Sequence, residues 1–224
     1  MPFRFARRRF LRGAIALAAI GAGDALRPLY GAAPYPATIA AMQVARATEG
    51  RVSRQYFAFG RKAREDGYAG VAYLFAAFAT SEQVHAATFG KVLAALGVEP
   101  PPLPEASGST GSTRENLMAA ASGEAESVED RYPSMLERIR HEGHGDAMRF
   151  VEYAWASERQ HLDKIKQIRR WTPTMFELVA KHIDAKTGSY FVCLACGSTL
   201  NVAPPTCPVC RADSTSYRRI QPPA

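Results

Sequence analysis

The stretch "SEQVH", residues 81–85, places a glutamate three residues ahead of a histidine, directly after a run of apolar residues. A second stretch, "SERQH" at residues 157–161, repeats that spacing. The segments that contain them, 64–85 and 140–161, align without a gap, with a glycine fifteen residues ahead of each glutamate. One Glu-x-x-His motif is weak evidence by itself. Two of them at corresponding places of a repeat indicate a common role.

A metal site is the prediction for these two motifs. Residues three apart share one face of a helix, so Glu82 and His85 can reach the same ion. Glu158 and His161 can do the same in the second repeat. The preceding residues, "VAYLFAAFAT" and "MRFVEYAWA", are largely apolar and predict buried helices, where carboxylates repel one another severely unless cations neutralise them. The remaining histidines are expected to be exposed and without a role: His141, His144 and His182.

Two further glutamates are predicted to lie at the same height in the fold. Glu49 precedes the break at Gly67 by 18 residues. Glu124 precedes the break at Gly143 by 19 residues. Because a helix rises about 1.5 Å per residue, all four glutamates then lie at about one level. Each of two metals would take one glutamate and one histidine, and the other two carboxylates would bridge, as in ferritin-like di-iron bundles.

The order of helices and breaks predicts a mainly α protein, a ferritin-like four-helix bundle with one long crossover. The crossover is "GVEPPPLPEASGSTGST", residues 97–113, which is too rich in Pro, Gly and Ser to continue a helix. Thr38 is a candidate cap of the first helix, and the third helix is expected to bend at Pro133, where a helical hydrogen bond is lost. The predicted helices are Ala37–Arg64, Tyr68–Leu96, Arg114–Glu142 and Gly145–Trp171, then a short Thr174–Ile183. The predicted domains are a signal segment 1–33, the bundle 34–172, a linker 173–187 and a small β-rich metal domain 188–224.

The C-terminal segment carries two Cys-x₂-Cys pairs separated by ten residues, in "CLACG" and "CPVC". Paired knuckles of this kind gather four thiolates around one metal ion. Iron would make the site a one-electron carrier and zinc a structural staple, and the ligand set alone does not decide between them. Two disulfides are a third alternative, although the tight pairs favour a metal, and the neighbouring redox site favours iron. The four ligands are Cys193, Cys196, Cys207 and Cys210.

The formal charge of +7 lies mostly at the N-terminus. Residues 1–33 hold six Arg and one Asp, whereas the remainder has 22 basic and 20 acidic side chains, so nucleic-acid binding is not supported. Arg7 and Arg8 in "RRRFLRG" precede an apolar run of about ten residues and resemble a twin-arginine export signal. Because a spanning helix needs roughly 20 residues, membrane contact is expected only through this signal, with export to the periplasm.

From Ala37 to the C-terminus the chain resembles the rubrerythrins. The segment "ATEGRVSRQYF" holds Glu49 at the place of the family's first iron-binding glutamate, and "NLMAAASGE" delivers Glu124. The two Glu-x-x-His motifs follow at the family's spacing, and "CPVCRADSTSYRRI" is similar to its rubredoxin-like ending. Tyr56, seven residues after the first glutamate, and Tyr132 in "YP" match two tyrosines that hydrogen-bond the iron-binding carboxylates in the family.

The resemblance implies a di-iron enzyme that reduces hydrogen peroxide to water in oxidative-stress defence. It also implies that one iron in the Cys₄ site relays electrons to the di-iron site from a donor protein or reductase. Members of the family pair as homodimers in which the tail of one chain lies near the bundle of the other, and the same is expected here.

One residue departs from the family pattern. Rubrerythrins carry a further glutamate three residues after the third-helix ligand, and Ser127 takes that position here. One iron of the family moves between that carboxylate and the second-helix histidine, so His85 is expected to stay bound in both redox states. The departure keeps two alternatives open: an iron-binding protein with a zinc-stapled tail, and oxygen chemistry as a ferroxidase or hydroxylase.

Overall fold

Two long helices, α1 (Pro36–Glu65) and α2 (Ala69–Ala95), form the first hairpin. Gly67 makes the turn between them with a φ of 86°, a left-handed conformation that glycine adopts at little cost. The break predicted at this residue is therefore where the chain reverses. The structure is a computed structural model that describes residues 34–105, 109–166, 175–176, 178, 180 and 188–222.

The second hairpin is built from four consecutive pieces. A π-helical turn separates the first two helices of this hairpin, so the single bent helix expected here is interrupted instead. Pro133 lacks an N–H and its ring crowds the carbonyl four residues back, which disfavours a regular α-helical ladder at this point. The Val128 carbonyl within the turn accepts a hydrogen bond from Trp155 Nε1 at 2.9 Å. The pieces are α3 (Thr113–Glu126), the π turn (Ser127–Arg131), α4 (Tyr132–Arg140) and α5 (Gly145–Ile165).

A carboxylate from the second hairpin caps the start of α1. Glu142 accepts hydrogen bonds from the backbone N–H groups of Ala37 at 2.8 Å and Thr38 at 2.7 Å. The N-cap position is Tyr35, and Pro36 occupies the first helical position. The prediction that Thr38 caps the helix is wrong, because the helix begins earlier and Glu142 supplies the acceptor that a cap provides.

Two apolar clusters fill the bundle, one on each side of the level where the predicted metal ligands lie. Along α1, for example, Met42 belongs to one cluster and Phe59 to the other, with Glu49 between them. The cluster of Phe59 also includes Phe75, Phe78, Leu117 and Ile165, and the cluster of Met42 also includes Phe89, Leu93, Tyr132, Ile139 and Val151. The metal level is therefore a thin polar layer inside an apolar core.

The C-terminal segment folds into a small three-stranded antiparallel sheet. The middle strand pairs with both others, in the order β2-β1-β3. Phe191 lies opposite Leu200 on one side and Arg219 on the other. The prediction of a mainly α bundle with one crossover and a small β-rich tail is confirmed. The strands are β1 (Phe191–Cys193), β2 (Thr199–Leu200) and β3 (Tyr217–Arg219).

Several predicted features fall on residues that the structure does not describe. The export signal at 1–33, His182, and most of the short helix predicted in the linker lie outside the described residues. The domain boundaries placed there stay predictions. None of the described helices combines the length and the apolar character that crossing a membrane requires.

Candidate metal centre

The six side chains predicted as ligands of a dinuclear site meet in the polar layer of the bundle. Each is exposed by 2% or less, so water does not solvate their charges. Burying four carboxylates together is strongly unfavourable unless protons or cations neutralise them. The six are Glu49 from α1, Glu82 and His85 from α2, Glu124 from α3, and Glu158 and His161 from α5.

The donor atoms form two overlapping groups of four, and the atoms of each group lie within 4.8 Å of one another. Glu82 and Glu158 belong to both groups, so these two carboxylates would bridge a pair of metal ions. His85 Nδ1 lies 2.8 Å from Glu82 Oε2 and 3.1 Å from Glu158 Oε1. His161 Nδ1 lies 3.2 Å from the other oxygen of Glu82. Glu49 and His85 complete the first group, and Glu124 and His161 complete the second.

Hydrogen bonds at the outer nitrogens set the tautomers of both histidines. His85 Nε2 lies 3.2 Å from the Cys196 carbonyl, which can only accept, so Nε2 carries the proton. His161 Nε2 lies 3.2 Å from Thr199 Oγ1, whose own proton is donated to the Gly197 carbonyl at 3.0 Å. That hydroxyl therefore accepts from the imidazole. In both neutral rings the lone pair of Nδ1 then faces the cluster, as a metal ligand requires.

Two buried tyrosines hold the outer carboxylates. Tyr56 donates its hydroxyl hydrogen bond to Glu124 Oε1 at 2.6 Å. Tyr132 donates to Glu49 Oε1 at 3.1 Å. Burial, and then the nearby carboxylates, raise the pKa of both phenols well above the usual value, so both stay neutral donors. The structure thus places both tyrosines where the resemblance expected them.

Without metal, the pKa values in the cluster diverge. Burial opposes ionisation of Glu82, but its contacts with His161 and His85 lower its pKa to about 2. Burial, and then repulsion from Glu158, raise the pKa of Glu124 to about 8. Burial lowers the pKa of His85, yet contacts with the two bridging carboxylates outweigh it and bring the value to about 10. The metal-free cluster therefore holds protons on sites that metal ions would otherwise occupy.

The fit of metal ions is tested by the buried atoms that the protein leaves unsatisfied. Four such atoms belong to this one cluster: none forms a well-aligned hydrogen bond with a described residue, although Glu82 Oε1 lies 3.2 Å from His161 Nδ1 and Glu158 Oε1 lies 3.1 Å from His85 Nδ1. An unsatisfied buried polar group costs roughly 1–3 kcal/mol, and cations between the carboxylates would satisfy all four. Carboxylate oxygens with imidazole nitrogens are a donor set that suits iron. The atoms are Glu82 Oε1, Glu124 Oε2, Glu158 Oε1 and His161 Nδ1.

The four cysteines form a second metal site. The Sγ atoms of Cys193 and Cys210 are 3.7 Å apart, as are those of Cys196 and Cys207. Four thiolates at about 2.3 Å from a tetrahedral ion lie roughly 3.8 Å apart, whereas a disulfide requires about 2.05 Å. Contact with Cys196 lowers the pKa of Cys193 to about 5, which favours a thiolate. All four are free thiols, so the disulfide alternative is not supported.

The loop that follows the first cysteine pair lies directly on the dinuclear cluster. A Cβ placed on Gly197 would lie 2.2 Å from His85 Nε2, so only glycine permits this approach. Ser81 Oγ donates to the Gly197 carbonyl at 2.8 Å, and Gln160 Oε1 accepts from the Thr199 N–H at 2.9 Å. The tail thus contacts the bundle of its own chain, whereas the resemblance placed it near the bundle of a partner.

Ser127 and Arg131 occupy the side of the cluster where the family pattern places an extra glutamate. Ser127 Oγ donates to the Gly123 carbonyl at 3.0 Å and is not a member of either metal-ligand group. Arg131 NH1 lies 3.8 Å from Glu49 Oε1. Sequence reasoning missed Arg131, although its spacing of seven residues from Glu124, two helical turns, was a usable signal.

His144 is not inert, contrary to the prediction. Its Nδ1 accepts a hydrogen bond from the Ala147 N–H at 3.1 Å and so caps α5. Its ring also meets Tyr35 edge to face, with centroids 4.8 Å apart. The prediction considered metal binding and exposure but not capping, which histidine can perform through an unprotonated ring nitrogen.

Comparisons with known proteins agree with this geometry. A protein-family model described as Rubrerythrin matches residues 41–169. Rubrerythrin from Nitratidesulfovibrio vulgaris is 30% identical over 161 residues, covering 67% of this chain and 84% of that protein. Rubrerythrin from Porphyromonas gingivalis is 30% identical over 175 residues, with coverage of 75% and 82%.

Solved structures extend the likeness to the fold. A mixed-valence nigerythrin superposes with a TM-score of 0.67 at 27% identity, covering 81% of this chain and 86% of that chain. A bacterioferritin from Desulfovibrio desulfuricans, whose structure shows a di-iron site, has a TM-score of 0.58 at 23% identity, with coverage of 66% and 85%. The bacterioferritin likeness shows the fold alone.

Proposed function

The chain belongs to the rubrerythrin family, and on that premise we propose that it reduces hydrogen peroxide to water. The di-iron site lies in the ferritin-like bundle, and the Cys₄ iron site lies in the rubredoxin-like tail. The reaction consumes two electrons and two protons for each peroxide and yields two waters. The observation that supports it best is the hydrogen bond between His85 and the Cys196 carbonyl, which joins the two metal sites within one chain.

The protein's own residues orient the site in this proposal. When bound, the irons supply electrons and Lewis acidity for O–O cleavage. Tyr56 and Tyr132 hold the outer carboxylates and keep them from rotating away. The Cys196 carbonyl and Thr199 hold the imidazoles in the tautomer that binds metal. The apolar clusters on both sides keep bulk water out of the polar layer.

The test uses iron-loaded protein, reduced without oxygen and mixed with peroxide. Glu158→Ala removes a bridging carboxylate and should abolish peroxide consumption. Cys207→Ser should leave a single oxidation of the reduced di-iron site intact but stop multiple turnovers, because electrons no longer return through the tail. Glu152→Ala, an exposed change on the same helix as Glu158, is the matched control. Full turnover by Glu158→Ala would contradict the proposal.

We further propose that His85 stays a ligand in both redox states. Ser127 offers no carboxylate, and its hydroxyl proton is already donated to the Gly123 carbonyl. The His85 ring is also tied through Nε2 to the tail. Crystal structures of the oxidised and reduced protein should show the same His85 position, and a shift of the ring away from its metal on reduction or oxidation would contradict this.

A second function, iron binding with a zinc-stapled tail, is favoured by one observation, the serine at position 127. Metal analysis of the isolated protein separates the two. About three irons per chain with a coloured tetrathiolate support the enzyme, whereas one zinc with variable iron supports the binder. The ferroxidase or hydroxylase alternative is tested by comparing the rates at which oxygen and hydrogen peroxide oxidise the reduced protein. Faster oxidation by oxygen would support that alternative.

Export, pairing and the electron donor are proposals as well. Arg7 and Arg8 support twin-arginine export to the periplasm, and Arg7→Lys with Arg8→Lys should retain the protein in the cytoplasm. The proposal of a homodimer is based on the family resemblance. Analytical ultracentrifugation of the exported protein, by its sedimentation, tests it. The donor is expected to be a redox protein or reductase that delivers one electron at a time to the Cys₄ iron.

A further inference from the structure

A small cavity lies against the dinuclear cluster on the side of the π turn. Its volume is about 60 Å³. Three metal-binding carboxylates line one side of it, those of Glu49, Glu124 and Glu158. Ser127 and Arg131 also line it. The cavity therefore lies between the metal cluster on one side and Ser127 and Arg131 on the other. Ser127 is the position at which the family carries its additional glutamate.

Ser127 contributes space rather than a ligand. Its side chain is buried and short, and its hydroxyl proton is directed at the Gly123 carbonyl, within its own helix. A glutamate at this position would carry one methylene group and a carboxylate in place of the serine hydroxyl, and these would extend into the cavity. The volume beside the cluster is thus the volume that such a side chain would occupy.

Arg131 contributes a guanidinium that forms only long ion pairs. Its nearest carboxylate oxygens belong to Glu49 at 3.8 Å and to Glu126 at 3.9 Å, both beyond hydrogen-bond distance. The Arg131 side chain is only 24% exposed, whereas that of Glu126 is 68% exposed. The Arg131 side chain makes no direct hydrogen bond to another described residue, so its planar fork is available to a bidentate anion in the cavity.

The net charge of the metal-loaded site, together with Arg131, also favours binding of an anion. Four carboxylates neutralise two divalent cations, and the imidazoles bind as neutral ligands. The guanidinium of Arg131 then leaves one positive charge in excess, and oxidation of the metals increases that excess. In a site where low solvent access weakens screening, a monoanion beside Arg131 balances this charge.

We infer that the cavity binds a small carboxylate, such as formate or acetate, between the Arg131 guanidinium and the dinuclear cluster. A cavity needs roughly 10–15 Å³ to hold one water molecule, so about 60 Å³ accommodates the three heavy atoms of formate or the four of acetate. The anion takes the place of the carboxylate that Ser127 does not provide. This inference rests on the proposed function only in requiring that metal ions fill the cluster.

The test is a formate titration of the oxidised, iron-loaded full-length protein, followed by calorimetry and by the difference absorption of the ferric centre. One formate should bind per chain. Arg131→Gln should weaken binding roughly 10- to 100-fold, because a charge-assisted bidentate contact is lost. Ser127→Glu should abolish it by supplying the carboxylate from within the chain. Ser127→Gln, which fills the cavity without charge, should also block binding.

Matched controls keep the result specific. Arg138→Gln removes an exposed arginine from α4, and Ser122→Glu adds an exposed carboxylate to α3; neither should change the formate affinity. Metal content of each variant is measured first, so that loss of iron is not mistaken for loss of the anion site. Absence of saturable formate binding in the unchanged protein, or unchanged binding in Ser127→Glu, would overturn the inference. Peroxide consumption is assayed separately, so either proposal can fail alone.

Discussion

At the scale of single residues, the two tyrosines show how neutral hydrogen-bond donors stabilise a charged cluster. Tyr56, on α1, donates a hydrogen bond to Glu124 of α3, and Tyr132, on α4, donates one to Glu49 of α1. Each carboxylate is therefore held by a tyrosine from another helix. Because burial and neighbouring negative charge raise the pKa of both phenols, neither tyrosine loses its proton near neutral pH. The carboxylates therefore keep their orientation when the charge of the site changes during a reaction.

Removal of one hydroxyl tests this role. Tyr56→Phe leaves Glu124 Oε1 without its donor, and we expect the free energy of unfolding to fall by about 1–2 kcal/mol. Peroxide turnover should fall roughly tenfold, since a ligand that rotates positions the metal less well. Urea unfolding and steady-state assays measure the two effects. Tyr35→Phe, whose ring meets His144 outside the cluster, serves as control. Unchanged turnover in Tyr56→Phe would show that the hydroxyl does not position Glu124.

At the scale of elements, a single loop of the tail contacts both histidines of the dinuclear site. Residues 196–199 supply the carbonyl that accepts from His85 and the hydroxyl that accepts from His161. The loop is held in place by the Cys₄ site on one side and by α2 and α5 on the other. Metal binding by the cysteines therefore also organises the ligands of the other site.

Replacing each of two glycines by alanine separates the effect of the contact with His85 from the effect of backbone strain. Gly197 and Gly67 have nearly the same φ, 84° and 86°, but only Gly197 has neighbours within 4 Å of an added Cβ. Both alanine variants should lose about 1 kcal/mol of stability from the left-handed backbone. Gly197→Ala should also push the loop from His85 and slow electron transfer from the Cys₄ iron at least about tenfold.

Stopped-flow absorption of the Cys₄ iron measures that transfer after peroxide oxidises the di-iron site. Gly67→Ala should retain the rate of the unchanged protein. If Gly197→Ala transfers electrons at the unchanged rate as well, the contact between the loop and His85 does not serve the relay.

At the scale of the whole molecule, the polar layer between two apolar clusters makes metal binding and proton binding compete. Burial, followed by repulsion from Glu158 and Glu82, raises the pKa of Glu49 well above its usual value, and the pKa of Glu124 is about 8. The pKa of His85 is about 10, and that of His161 is raised well above its usual value because its contacts with Glu124 outweigh burial. At pH 7 the metal-free cluster therefore holds a proton on Glu124 and a second on His85.

Metal loading should release those protons. Near pH 7 we expect release of about two protons per chain, from Glu124 and His85, when two divalent ions bind. The apparent metal affinity should rise with pH because deprotonated ligands are required. The sign follows from the raised pKa values, since without metal Glu124 loses its proton only near pH 8 and His85 only near pH 10. A pH indicator in weakly buffered, oxygen-free ferrous titrations measures the release. Glu124→Gln should release one proton fewer, and release of none by the unchanged protein would contradict the pKa assignment.

Much of the candidate site was predictable because it depends on local spacing. The interval of three residues in Glu82-x-x-His85 places both side chains on one helix face whatever the helix packs against. The similar distances of Glu49 and Glu82 from Gly67, 18 and 15 residues, place them at about one level because the rise per residue of a helix is fixed. The Cys-x₂-Cys pairs likewise bring two thiolates together through a short turn. Errors arose where a partner distant in sequence decided the outcome, as with Glu142, which caps α1 in place of Thr38.

The sequence by itself determined two helical hairpins, a level at which four carboxylates and two imidazoles coincide, and a four-thiolate knuckle. Only the tertiary structure decided that Glu82 and Glu158 are the bridging pair, that Gly197 brings the knuckle onto His85 of the same chain, and that Arg131 lines the cavity beside Ser127. The physical reason is that spacing along one helix sets the height and face of a side chain. The rotation of each helix against its neighbours, which sets which atoms meet, depends on packing of the whole core.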